Sequence, residues 1–109
     1  MTVQEVATMI ESIGLPYAYY QFPEGTATPT PFICYFYPNN DDFFADDSNY
    51  SRINELYIEL YTDEKDFNLE NQIEQILMAN DFSFVKSEDY IKSEKMHEVL
   101  YQMEVIIDG

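Results

Sequence analysis

One stretch near the start of the chain repeats apolar residues at the spacing of an α-helix, which predicts a helix with one apolar face over residues 2–13. Thr2 and Glu5 have the spacing of an N-terminal capping box. Gly14 stands where a helix commonly ends, and Pro16 prevents the helix from continuing. An amphipathic helix of this kind must dock on another part of the fold.

A second stretch with helical periodicity covers residues 68–79. Its apolar stripe is predicted to face the core, while Glu70, Glu74 and Gln75 are expected to face solvent. Asn80 follows as the end of this helix.

The remaining apolar segments are short and rich in aromatic or β-branched residues, and they are predicted to be strands. They cover residues 17–22, 32–37, 50–62, 82–86 and 96–107. In the third of them Leu56, Ile58 and Leu60 alternate with polar and aromatic residues at 55, 57, 59 and 61, so one face is buried and the other is wet. The polar tract 87–95 is expected to extend or turn between the last two strands.

These elements follow one another in the order αβββαββ, with short connections that suit an antiparallel sheet. We therefore predict an α+β fold in which two helices pack on one face of a mainly antiparallel sheet of about five strands. With 109 residues, of which 46% are hydrophobic and 17% aromatic, the chain is expected to fold as a single domain over residues 1–109.

Charge narrows the choice of partners. The chain has 21 acidic and five basic residues, a net charge of −16, and its first 51 residues contain no lysine or arginine. A surface this acidic repels phosphate backbones and anionic membranes, so direct affinity for nucleic acid or membrane is not expected. Its partners are expected to be proteins or cations.

Residue types that carry catalysis are scarce. Cys34 is the only cysteine and lies in an apolar run, which predicts a buried, reduced thiol and no intrachain disulfide. His97 is the only histidine and is in phase with the apolar face of its strand. Nothing in the sequence orients these two residues as nucleophile and base, so we expect no enzyme and no cofactor. No secretory signal or membrane-spanning run is expected, which favours a cytosolic protein.

Two loops are the candidate interfaces with other proteins. The segment 39–49 places two adjacent phenylalanines among aspartates. Those phenylalanines either anchor the loop on the sheet or are exposed and available to bind a partner. The aspartates could ligate a hard cation, although a solvated acidic loop without metal is the expected state. Loop 23–31 is rich in proline and threonine. The candidate interface residues are Asp41, Asp42, Phe43, Phe44, Asp46, Asp47, Tyr50, Glu24, Thr26 and Thr28.

The segments 41–47, 58–66 and 90–101 resemble small prophage proteins of Gram-positive bacteria that are similar to the tail-terminator, or tail-completion, proteins of long-tailed siphophages. The resemblance implies a virion protein that forms a hexameric ring at the head-proximal end of the tail. Such a ring stops growth of the tail tube and joins the tail to the head. The implied partners are further copies of the chain, the tail tube protein and a head-side neck protein. The implied location is the virion, after assembly in the host cytoplasm.

Two alternatives stay open at this point. A head-completion or neck connector protein would share this composition. An acidic DNA mimic that inhibits a nucleic-acid-binding host enzyme would also carry a charge of −16, because mimicry needs carboxylates in the place of phosphates.

The charge predicts a dependence of stability on salt. Repulsion among 21 carboxylates and only five cations opposes compaction, and dissolved ions screen that repulsion. We expect the Tm to rise by about 4 °C or more between low and moderate NaCl, which corresponds to a gain on the order of 1 kcal/mol. Differential scanning calorimetry at fixed pH measures this shift, and a Tm that stays constant or falls with salt contradicts the expectation.

Overall fold

The computed structural model of the protein describes residues 1–23, 28–38 and 53–108. In these ranges the elements are α1 (Val3–Glu11), β1 (Tyr17–Tyr19), β2 (Phe32–Phe36), β3 (Ile53–Thr62), α2 (Phe67–Ala79), β4 (Phe84–Ile91) and β5 (Met96–Ile106). Their order is αβββαββ, as predicted, and the fold is α+β.

The first helix has the N-terminal capping box that its sequence predicts. The Oγ1 atom of Thr2 accepts a hydrogen bond of 3.0 Å from the backbone N–H of Glu5. The carboxylate of Glu5 accepts one of 2.8 Å from the backbone N–H of Thr2. Gly14 adopts a φ of +88° just after the helix, a conformation that glycine tolerates and that turns the chain towards β1.

The five strands form one sheet in the order β1-β2-β3-β5-β4. Only β1 and β2 run parallel, and the other neighbours are antiparallel, so the sheet is mainly antiparallel. The longest ladder joins β3 to β5 and includes the pair Ile58 and Tyr101. Helix α2 connects β3 to β4, which lies on the far side of β5, and β4 therefore forms one edge of the sheet.

The core lies on one face of this sheet. Alternate residues of β2, β3 and β5 point into it and meet the apolar faces of both helices. Val6 and Ile10 of α1 and Ile73 and Leu77 of α2 are fully buried in the same cluster. Both helices therefore pack on one face, as the alternation of the strand residues predicts.

Among the described residues, two strands differ from their predicted bounds by more than one residue. β1 ends at Tyr19, because Tyr20 adopts a φ of +71° and the chain leaves the sheet there. β4 begins at Phe84 and continues to Ile91, whereas the sequence predicts a strand that ends at residue 86. Its polar half is held as a strand by pairing with β5, a tertiary interaction that outweighs weak local propensity.

The prediction that Glu70 faces solvent is wrong. Glu70 is 2% exposed, and its carboxylate accepts a hydrogen bond of 2.8 Å from Lys65 and forms an ion pair with Lys86 at 2.7 Å. Glu74, also expected to face solvent, accepts bonds of 2.8 Å from Lys86 and from the hydroxyl of Tyr101. This network ties α2 to β4 and β5, so its acidic residues belong to the packing of the helix.

Replacing Glu70 by alanine should destabilise the fold. The substitution leaves Lys65 and Lys86 facing a half-buried space without their shared carboxylate, and we expect a loss of about 3 kcal/mol in the free energy of unfolding. Urea unfolding measures this loss. The exposed Glu64 provides the control, since Glu64→Ala should change stability by less than about 0.5 kcal/mol. Equal effects of the two substitutions would contradict the assigned role of Glu70.

Candidate functional site

The face of the sheet opposite the helices, called the open face from here on, carries a mixture of aromatic and acidic side chains. The strand registers place these residues on it: Phe32, Cys34 and Phe36 of β2; Ile53, Glu55, Tyr57, Glu59 and Tyr61 of β3; Met96, Glu98, Leu100, Gln102, Glu104 and Ile106 of β5; and Val85, Ser87, Asp89 and Ile91 of β4. Neither helix packs on this face. Most of its side chains in β3 and β5 are half-buried, so it is neither a core nor a fully wet surface.

Aromatic rings form a band across one side of the open face. The rings of Phe32 and Tyr61 stack with centroids 4.9 Å apart, and Phe22 meets Phe32 edge-on at 5.4 Å. Farther along the strands, Phe36 meets Tyr57 at 5.5 Å. Aromatic side chains of this kind are enriched at protein interfaces because they combine a large apolar area with low conformational entropy.

A pair of carboxyl groups lies beside this band. The carboxyl groups of Glu59 of β3 and Glu98 of β5 are close neighbours, and the hydroxyl of Tyr61 donates to Glu98 at 3.0 Å. Burial, together with the neighbouring Glu98, raises the pKa of Glu59 to about 7. Near neutral pH the pair can therefore hold a shared proton, and it can also accept a cationic side chain in place of that proton.

The charged side chains on the described part of the open face are all negative. Among its described residues, Glu55, Glu59, Asp89, Glu98 and Glu104 are acidic and none is basic. The four lysines that the structure describes lie elsewhere. Lys65 and Lys86 pair with carboxylates beside α2, and Lys92 and Lys95 are in the turn between β4 and β5. The charged side chains around the aromatic band on the described part of this face are therefore all acidic.

Cys34 and His97 cannot act together as nucleophile and base. Cys34 lies on the open face opposite Glu59, whereas His97 lies opposite Thr62 on the helix-covered face. Burial raises the pKa of the Cys34 thiol to about 11, with smaller contributions from the nearby glutamates. The thiol is free and buried, as predicted, and it stays protonated and unreactive at neutral pH.

One group of residues has the donor types of a metal site. Oxygen atoms of Glu70 and Glu88 and a ring nitrogen of His97 lie within 4.8 Å of one another. The ammonium of Lys65 already contacts both carboxylates, and His97 Nε2 lies 3.0 Å from Glu88. A protein cation thus occupies the position where a metal ion would bind, so the cluster serves as an ion-pair network.

The two loops named as candidate interfaces fall mainly outside the described residues. This applies to Asp41, Asp42, Phe43, Phe44, Asp46, Asp47, Tyr50, Glu24 and Thr26. Thr28 is described; it is half-buried and stands shortly before β2. Whether the acidic loop binds a cation or a partner remains a prediction from the sequence.

Sequence reasoning did not identify the pair of Glu59 and Glu98. Both residues are recognisable as members of the wet faces of their strands. Their proximity depends on the register in which Tyr61 lies opposite Glu98 and Glu59 opposite Leu100. The pattern within one strand does not determine that register. The alternation of glutamates with tyrosines along β3 was nevertheless a signal that this face is only partly exposed to solvent.

Comparisons with known protein families, curated proteins and solved structures found no significant match. Within residues 1–23, 28–38 and 53–108, neither helix has the length and apolar character that crossing a bilayer requires.

The raised pKa of Glu59 predicts a stability that depends on pH. Between the ordinary carboxyl pKa and about 7, the folded protein binds a proton that the unfolded chain releases, so stability falls as pH rises through this window. Glu59→Gln imitates the protonated form and should remove this fall. We expect the variant to gain stability relative to the wild type from about pH 5 to about pH 8, as measured by urea unfolding.

Glu104→Gln is the matched control, because it removes the same charge from an exposed position on the same face. A difference between Glu59→Gln and wild type that stays constant over this pH range would contradict the shared-proton interpretation.

Proposed function

We propose that this chain is a structural virion protein of the tail-terminator class, which assembles as a ring of six copies at the head-proximal end of a phage tail. The ring stops growth of the tail tube and presents a surface to the neck proteins of the head. The proposal starts from the resemblance carried by segments 41–47, 58–66 and 90–101. It involves no catalytic step.

The observation that carries the proposal is the aromatic and acidic open face. A sheet that packs helices on one face and leaves rings such as Phe36 and Tyr57 half-buried on the other offers an interface to another protein. Ile106, on the same face, is 58% exposed. These features support a protein that works by assembling with other proteins.

The charge supports the same proposal. A ring at the end of a tail lets DNA pass, and a net charge of −16 without a basic patch keeps the phosphate backbone from adhering. The open face contributes to this property because its described residues include no cation.

An acidic DNA mimic is the second candidate, and the single sign of charge on the open face favours it. Against it, the aromatic rings lie between the carboxylates, whereas a mimic presents carboxylates in rows spaced like phosphates. We therefore rank it below the virion protein, together with a head-completion role.

Deleting the gene from an inducible prophage tests the proposal by electron microscopy of the lysate. We expect tails of uncontrolled length without heads. Normal-length tails beside unjoined heads would instead indicate head completion. Intact virions would overturn a structural role in the virion and raise the DNA mimic to first place.

Complementation of this deletion tests the open face itself. Ile106→Lys places a charge on that face, while Met78→Lys makes the same type of change on α2, where the side chain is 50% exposed. We expect Met78→Lys to restore joined virions and Ile106→Lys to reduce their number severely, because a buried charge weakens an interface. Equal complementation by two folded variants would remove the open face from the assembly surface.

A further inference from the structure

The outer edge of β4 has no strand beside it among the residues that the structure describes. Residues 85–90 of this strand are all exposed, including Val85 at 65% and Tyr90 at 51%. The strand contains no proline or glycine and has a single lysine, Lys86. Its three charged residues, Lys86, Glu88 and Asp89, oppose indiscriminate pairing, but no proline prevents a strand of complementary charge from pairing with this edge.

Symmetry restricts how two copies of this edge can pair. Two identical edges meet in antiparallel orientation only across a two-fold axis perpendicular to the sheet. Such an axis keeps the helix-covered face of each copy on the same side. Residues that lie opposite each other must then belong to the same face, so the axis passes through one residue of β4 rather than between two.

Three of the eight possible positions of the axis along β4 place like charges against each other. An axis through Lys86 brings two lysines together, and an axis through Glu88 or Asp89 brings two carboxylates together. Like charges directly opposite each other destabilise a pair of strands. Axes nearer the ends of β4 shorten the ladder.

An axis through Ser87 avoids these conflicts. It places Lys86 of each copy opposite Glu88 of the other, and Phe84 opposite Tyr90. The small side chain of Ser87 then meets only itself. The side chains of Lys86 and Glu88 are 32% and 43% exposed. In this register each adds the opposed charge of the second copy to the ion pairs that it already forms, Lys86 with α2 and Glu88 with Lys65.

We propose that the free protein forms a two-fold dimer in which β4 pairs with β4 of a second copy, in the register centred on Ser87. The five-stranded sheets of the two copies then form one continuous sheet, with both pairs of helices on the same side. The alternating charges of β4 select this register and oppose the others.

The dimer goes beyond the proposed virion role and does not depend on it. Neighbours in a six-fold ring meet through two different patches, whereas this pairing uses one patch twice. The dimer is therefore the form of the free chain, and it protects the edge of β4 before any larger assembly. Intact virions after deletion of the gene would contradict the virion role but not the dimer. A monomeric free protein would contradict the dimer but not the virion role.

Cysteine cross-linking of the full chain in a Cys34→Ala background tests the register. Opposed residues of an antiparallel pair have Cα atoms about 5 Å apart, within the range of a disulfide. We expect Ser87→Cys to form a covalent dimer under mild oxidation. Val85→Cys and Asp89→Cys should each form no covalent dimer alone, because equivalent residues of the two copies would be roughly 13 Å apart. A mixture of the two variants should cross-link, because residue 85 of one copy lies opposite residue 89 of the other.

The proposal is overturned if Ser87→Cys cross-links no better than Asp89→Cys, or if the mixture of Val85→Cys and Asp89→Cys forms no covalent dimer. Circular dichroism verifies that each variant folds.

Sedimentation velocity tests the dimer without cross-linking. Ser87→Lys places two ammonium groups face to face at the axis, on a position that is exposed in the single copy. Ser93→Lys, in the turn after β4, is the matched control. We expect the wild type and Ser93→Lys to sediment as dimers and Ser87→Lys as a monomer. A monomeric wild type, or a Ser87→Lys variant that sediments as the wild type does, overturns the proposal.

Discussion

The ladder between β3 and β5 is the constraint on which both faces of the molecule depend. The ladder begins with Ile53 opposite Ile106 and ends with Thr62 opposite His97. Because side chains alternate along a strand, the same register that sends Ile58 into the core beside Tyr101 also sets the composition of the open face. A shift by one residue would exchange the two faces, so the apolar pattern of the core determines which acids and aromatic rings meet on the other side.

The attachment of α2 follows from that ladder. The helix crosses from β3 to β4 over β5, and its apolar residues alone would fix only its packing face. Glu70 also restricts the orientation of the helix on the sheet, because its carboxylate contacts Lys65 before the helix and Lys86 on the edge strand. A buried acid held by two lysines contributes little net free energy compared with apolar packing, but it penalises other placements of the helix.

The open face combines features that oppose stability with features that suit assembly. Holding Glu59 beside Glu98 in a half-buried position costs free energy once both are ionised. Aromatic rings left half-buried forgo part of the gain from burial. Both costs are reduced when a partner with apolar and basic groups covers the face, which is why we connect this face with assembly. The exposed edge of β4 is a second such feature on the same sheet.

The sequence by itself determined the α+β class, the order of the elements, the capping of α1 and the buried state of Cys34. These depend on periodicity and short-range contacts, which a local pattern contains. Only the tertiary structure decided that β4 extends through residues 87–91, that Glu70 is buried, and that Glu59 meets Glu98. Each of these depends on which strands are neighbours and in which register they pair. That choice minimises the free energy of the whole sheet, so no single segment encodes it.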